Sequence, residues 1–398
     1  MKYIVVAMSG AADQPVEELG TKTPLELAKT PNLHHLAKVG KVGLVRLCSD
    51  KVEPTPDVSL LNLLGYDADK VYTGLGPVEA ANLDLKLEDN EVAFRMNFIT
   101  EAEGRLADPT SGRIPTKEAR ALINFLNKKL GSDFVRFFAG AEYRHVAVIK
   151  DSHGFEALSA RTHSPEAVTG QPMEDYFPKG PGDELLKKLM MDARLLLQDH
   201  EINQVRVDLG ENPANMIWLW GQGRPLRLKK FQEMSGLSGA AVAGIEFAKG
   251  IARAAGLTVL EVQGATGDLE TDYEKKGKML LTALEEKDFV VVHINAIDEA
   301  SRRGDVRAKI TAIEAADHFL LSKAKKYLED VKQVRVLVTP CHAALWKTRK
   351  RTREAVPFVI AGKNVTGDDI EELTETTAKV SELKMKNGAE LLEYLLLK

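Results

Sequence analysis

The chain of 398 residues is 44% hydrophobic and 28% charged, and 54 Lys+Arg against 58 Asp+Glu leave a formal net charge of −4. That length predicts two or three domains, and so even a charge balance excludes the electrostatic footprint of a nucleic-acid or anionic-membrane binder. Cys48 and Cys341, the two cysteines, are too few for a disulfide framework or a thiolate zinc site. A soluble, cytoplasmic protein is expected, because Met1–Gly10 lacks the pattern of a signal peptide and no apolar run approaches the ~18–20 residues that span a bilayer.

Tyr3-Ile4-Val5-Val6-Ala7-Met8 opens the chain as a continuous apolar run and stops at Ser9-Gly10. Such β-branched runs suit strands buried on both faces of a parallel sheet. From about Asn90 to Lys150 the pattern changes: strand signals at Val92–Phe98 and Glu142–Ile149 enclose a helical stretch near Ala119–Leu130. A segment rich in Gly, Pro, Ser and Asp runs from Asp151 to Asp183, and a helix is predicted from Glu184 to Glu201. Buried-strand runs return at Phe289–Ile294, Val334–Val338 and Val356–Ile360, with helical periodicity between the first two, from Asp305 to Leu328. The expected fold is therefore an α/β core with a mainly parallel sheet flanked by helices, built from 1–108 and 237–398. A smaller α+β domain, 109–236, is expected as an insert in it.

Active sites of open α/β sheets lie beyond the carboxyl ends of the strands. The first run delivers Ser9 and Gly10 there, the second Asn295, Asp298 and Glu299, and the third Thr339, Cys341 and His342. Gly10 suits a tight turn. Asp298 reads either as a metal ligand or as the N-cap of a helix over Glu299–Leu320. His342 beside Cys341 reads as a metal ligand, a thiol activator or an incidental pair. Lys347–Arg353 carries five cationic residues in seven, a solvated loop or else a site for phosphate or an acidic partner. Gly74-Leu75-Gly76 and Gly236–Gly244 complete no dinucleotide fingerprint, and P-loop, H-E-x-x-H and G-x-S-x-G motifs are absent from the sequence.

Longer strings are more specific. Asn62–Asp67 with Tyr72–Ala80, Asn212–Gly223, Gly264–Tyr273, and Val292-His293 with Asp298-Glu299-Ala300 together closely resemble the archaeal-type cofactor-independent (2,3-bisphosphoglycerate-independent) phosphoglycerate mutases of the alkaline phosphatase superfamily. The resemblance implies an alkaline-phosphatase-like core with an inserted substrate-handling domain. It also implies two divalent metals, manganese, magnesium or zinc, flanking a serine that is transiently phosphorylated.

Most positions that would carry this chemistry differ. Ser9 stands where the family has a metal-binding Asp, and Pro56 where it has the nucleophilic Ser. Asp298 matches a ligand, whereas Arg302 replaces a His, Cys341 an Asp, and Arg351 falls near the last His. His342 is retained, so Asp298 and His342 alone survive of the seven. Proline offers no nucleophile, and a cationic guanidinium repels metal ions. Leu75, Arg113 and Glu166 also depart from the substrate-side pattern, while Arg144, His145, Lys249, Asn212, Asn215 and Trp218–Gly223 match substrate-side or scaffold positions.

These departures predict a catalytically degenerate member, a binding or scaffold module with no metal cofactor, for a protein partner or a phosphorylated small molecule. Arg302 and Arg351 would then replace the charge of the metals, tying the core together or binding an anion. An active mutase interconverting 2-phosphoglycerate and 3-phosphoglycerate in glycolysis is the alternative. A metal-independent enzyme using Cys341 and His342 is a further one.

Overall fold

The computed structural model describes residues 1–150 and 156–396. In chain order its strands are β1 (Lys2–Met8), β2 (Lys41–Val45), β3 (Glu91–Ala102), β4 (Arg105–Asp108), β5 (Val135–Phe138), β6 (Arg144–Lys150), β7 (Met216–Gly223) and β8 (Gly239–Val242). There follow β9 (Thr258–Leu260), β10 (Phe289–Ile294), β11 (Val334–Thr339), β12 (Ala343–Leu345), β13 (Lys350–Thr352), β14 (Val356–Gly362) and β15 (Lys384–Met385). The chain divides into two compact units, Met1–Tyr72 with Leu228–Lys398, and Thr73–Arg227. The insert thus begins well before the crossing expected near Asp108, and it ends before Leu237. The reason is β3, twelve residues long, which pairs with β4, β6 and β7 and carries residues 91–108 into the second unit. Residues 151–155, the start of the expected Gly/Pro-rich segment, lie outside the described residues.

In the first unit an eight-stranded sheet has the order β15-β2-β14-β11-β1-β10-β8-β9. β1 lies at its centre, parallel to β10 on one side and β11 on the other. Its side chains are buried on both faces from Tyr3 to Met8, which is why the run shows no alternation. The sheet is largely parallel, but β14 runs antiparallel to both β11 and β2. Only the β12–β13 hairpin separates β11 from β14, and a parallel return needs a crossover of a dozen or more residues, usually a helix. The core packs Ile4, Val6, Val290, Val292, Val336 and Val338 against Leu280, Ile297, Ile313 and Leu320 from the flanking helices.

The helical periodicity after β10 is broken where the sequence reading carried it through. One helix spans Ala296–Arg303 and ends at Gly304 in the left-handed region; the next, Val306–Ala315, is capped by Asp305, which accepts from Ala308 N–H at 2.9 Å. Asp298 therefore lies inside the first turn of a helix and is not its N-cap. Beneath the sheet ends the fully buried Lys309 ammonium donates to Asp13 Oδ2 at 2.6 Å and to the Ala344 carbonyl at 2.7 Å. Asp13 N–H donates in turn to Glu375 Oε1 at 2.8 Å, and Thr23 Oγ1 donates to Glu375 Oε2 at 2.7 Å.

The second unit is an antiparallel five-stranded sheet, β4-β3-β6-β5 with β7 on β3. Helices Thr116–Leu130 and Asp183–Leu197 cover it, and their Leu122, Leu126, Leu186 and Leu197 meet Phe94, Phe98 and Trp218 in its core. The helix expected over Glu184–Glu201 stops at Leu197, and a shorter one, Glu201–Asp208, follows.

Candidate functional site

At the carboxyl ends of β1, β10 and β11 the first unit gathers Ser9, His293, Asp298, Cys341 and His342, all buried. Gly10 makes this convergence possible. It turns the chain at a φ of +76°, and a Cβ there would stand 2.7 Å from Asp298 Cα.

Asp298 holds the centre. Arg351, on β13, forks onto it, with Nε 2.9 Å from Oδ1 and Nη2 2.6 Å from Oδ2. His342 Nε2 lies 2.8 Å from the same Oδ1. Burial works to raise the Asp298 carboxyl, but the Arg351 charge and the bonds from His342 and Arg351 overcome it and hold the group well below the usual range. His342 is pushed down, burial outweighing its bond to Asp298, so its neutral ring donates from Nε2 and leaves Nδ1 as a buried lone pair without a hydrogen-bond partner.

Beside this cluster Ser9 Oγ lies 2.8 Å from His293 Nε2, with Phe247 edge-on to the imidazole at 5.4 Å. Burial, then the charge of Lys276, pushes His293 down to about 3. Burial also pushes the Cys341 thiol up to about 12. A thiol that keeps its proton is a poor nucleophile, and His342 makes no hydrogen bond to it, since Nε2 faces Asp298 and Nδ1 has no partner among the described residues. The reading of Cys341 with His342 as a catalytic pair is corrected accordingly.

Pro56 is buried at the start of the helix Pro56–Leu63. The hydroxyl next to it, Thr55 Oγ1, is buried and has no hydrogen-bond partner among the described residues, and the same holds for Asp57 Oδ2. Neither was singled out in the sequence; the signal available was their place on either side of Pro56. Arg302 does not join Arg351. Its side chain is 43% exposed and reaches Glu299 at 3.5 Å, so the pair of guanidiniums expected at the sheet ends is a single one. The basic run is likewise dispersed: Lys347 pairs with Glu18, and Arg353 donates to the carbonyls of Ser49 and Val52. Lys249 pairs with Glu261, and near it Lys276 is pushed down to about 8 by burial and by the Lys249 charge.

In the second unit Arg144 reaches Glu142 at 3.5 Å and lies over the Tyr143 ring at 4.9 Å, and Arg113 reaches the same carboxylate at 3.3 Å. Buried His145 accepts from Gly140 N–H through Nδ1 and is pushed down to about 3, first by burial and then by Arg144 and Arg95. Asn212 donates to Asp108 and Asn215 exchanges hydrogen bonds with the Glu101 backbone, scaffold roles for both. Trp218 is buried in the core, and Trp220 donates to Asn97 beneath Arg95. Leu75 opens the helix Leu75–Asn82, and Glu166 is exposed on a short helix, Pro165–Val168.

Comparison with known proteins places these details. The family model of 2,3-bisphosphoglycerate-independent phosphoglycerate mutase matches residues 37–203. A Methanothermobacter thermautotrophicus protein named 2,3-bisphosphoglycerate-independent phosphoglycerate mutase 2 is 38% identical over 397 residues, covering 100% of this chain and 97% of its own. A Geobacter sulfurreducens protein, named a probable mutase of the same kind, is 36% identical over 401 residues and covers 100% of both. Among solved structures, a Pyrococcus horikoshii protein superimposes with a TM-score of 0.80 at 26% identity, covering 100% of this chain and 97% of that one. The cofactor-independent phosphoglycerate mutase of Thermoplasma acidophilum gives 0.65 at 25% identity, covering 100% and 99%. Among the described residues, no helix is long and apolar enough to cross a membrane.

Two expectations are corrected by these likenesses. Relatives matched along the whole chain at 36–38% identity carry the mutase name, which sets the mutase reading ahead of the catalytically degenerate scaffold. The same likeness overturns the expectation that no metal cofactor is involved, since divalent metals belong to the chemistry of that family. The side chains here nevertheless do not fit a metal pair. Both Asp298 oxygens are taken by Arg351 and His342, and among the described residues no three His, Cys, Asp or Glu side chains are grouped to hold an ion.

Proposed function

This chain belongs to the 2,3-bisphosphoglycerate-independent phosphoglycerate mutase family, and from that premise we propose that it interconverts 2-phosphoglycerate and 3-phosphoglycerate, in the cytoplasm and in glycolysis. The observation that carries the proposal is likeness without a gap: 38% identity to a named mutase across 100% of this chain, both units included.

Moving a phosphoryl group between two hydroxyls of one glycerate calls for an acceptor that holds it in between. With Pro56 at the family position, the acceptor in this reading is the neighbouring Thr55 hydroxyl, unpartnered at the N-terminus of the helix Pro56–Leu63. Transfer forms a bond from Thr55 Oγ1 to phosphorus, breaks the substrate's own P–O bond, and passes the Oγ1 proton to the released hydroxyl. The return transfer to the other glycerate oxygen reverses each of these changes. The helix N-terminus favours the added negative charge, and Lys249 is the cation proposed for the substrate.

Incubation of the purified protein with 3-phosphoglycerate, with and without added Mn²⁺, followed by phosphorus NMR, tests the reading. A 2-phosphoglycerate signal that grows with protein concentration and is lost in Thr55→Val is the expected result. Absence of interconversion under both conditions overturns the mutase assignment, and full activity in Thr55→Val overturns the role of Thr55.

A further inference from the structure

Asp298 is a carboxylate buried to 1% exposure whose two oxygens already have cationic or hydrogen-bonding partners. We infer that Arg351 and a divalent cation are mutually exclusive partners of Asp298, so that the β12–β13 hairpin carries a counter-cation which an ion must displace.

The geometry and the charge both oppose sharing. Divalent ions coordinate carboxylate oxygens at about 2.0–2.6 Å, while the planar fork of Arg351 covers Oδ1 and Oδ2 at 2.9 and 2.6 Å, one donor on each. An ion brought onto either oxygen would also stand against a fixed guanidinium charge with little water between them. Removing the guanidinium reverses the situation. It strands a buried carboxylate without its counter-charge, a state costly enough that a small cation is drawn in. His342 already touches Oδ1 through Nε2 and carries no fixed charge to replace that of Arg351. Asp57, whose Oδ2 is also without a partner, acts on Arg351 as a second negative charge. The anchorage is local to the hairpin, because Ala344 on β12 pairs directly with Arg351 on β13. Nothing in this charge balance depends on mutase turnover, so it stands or falls separately from the function proposed above.

Mn²⁺ titration of the full chain, reading free ion by electron paramagnetic resonance, tests it. Arg351→Ala and Arg351→Met are expected to bind one Mn²⁺ at least tenfold more tightly than the wild type. Adding Asp298→Asn to either should remove the gain. Arg351→Lys, a point charge that cannot fork across both oxygens, should fall between. Affinities within twofold of the wild type in folded Arg351→Ala or Arg351→Met overturn the inference, as does a gain that survives Asp298→Asn. If neither deletion variant folds, Arg351→Lys decides alone: an affinity equal to that of the wild type overturns the inference, and a gain lost on adding Asp298→Asn supports it.

Discussion

Replacing Glu375 with glutamine should stabilise the protein, by an amount that grows as the pH rises from 4.5 to about 7 and is then complete. Burial pushes this carboxyl from 4.5 up to about 7, against the opposing hydrogen bonds from Thr23 and from the Asp13 backbone. The folded state therefore holds the proton more tightly than the unfolded chain. Below pH 4.5 both states are protonated and the group costs nothing. Between 4.5 and about 7 the cost of ionising it in place builds up, and above 7 it is complete, at about 3 kcal/mol. Glutamine has no proton to lose. Its carbonyl can still accept from Asp13 N–H, its amide can donate to Thr23 Oγ1, and the Lys309–Asp13 pair beside it keeps its balanced charges. Urea denaturation of Glu375→Gln and wild type at pH 8 should thus differ by up to about 3 kcal/mol in favour of the variant, and at pH 4.5 by close to zero. The same difference at both pH values, or a loss of stability at pH 8, would refute the reasoning.

Gly10→Ala should destabilise by about 1–3 kcal/mol from the left-handed backbone alone, and by more because its Cβ would lie 2.7 Å from Asp298 Cα; denaturant midpoints measure it. Cys341, buried with its thiol pushed up to about 12, should resist iodoacetamide at pH 8 in the native protein and react after unfolding, as followed by mass spectrometry. Arg302→Ala should change stability by no more than about 0.5 kcal/mol, since its partner Glu299 is an exposed-side pairing at 3.5 Å; a larger loss in thermal denaturation would give Arg302 a tying role after all.

Strands buried on both faces were legible because burial leaves an unbroken apolar run, and the runs opening at Tyr3, Phe289 and Val334 all became neighbours in one sheet. Direction was not legible in β14, whose composition is the same for either orientation and whose antiparallel course follows from the short connection before it. The helix break at Gly304 was hidden by apolar residues that keep helical spacing on both sides of it. For the site, residue chemistry brought Ser9, Asp298 and His342 to the sheet ends, because each follows a buried run. It could not choose between Arg302 and Arg351. Four residues beyond Asp298, Arg302 points along an exposed helix face, whereas Arg351 comes from a hairpin whose register no local pattern sets. The unpartnered Thr55 and Asp57 were invisible for the same reason: what an atom lacks depends on everything folded around it.

The central position of β1 governs when the protein can fold as it is made. Both neighbours of this first strand, Phe289–Ile294 and Val334–Thr339, lie near the other end of the chain. At about 5–20 residues per second, roughly 15–60 s pass between emergence of Met8 and of Phe289 from the ribosome. During that interval Thr73–Arg227, which has its own hydrophobic core, can complete itself. The Tyr3–Met8 strand meanwhile has neither neighbour available, and an apolar segment left waiting in that way is a natural client for a chaperone that grips extended chain close to the exit tunnel.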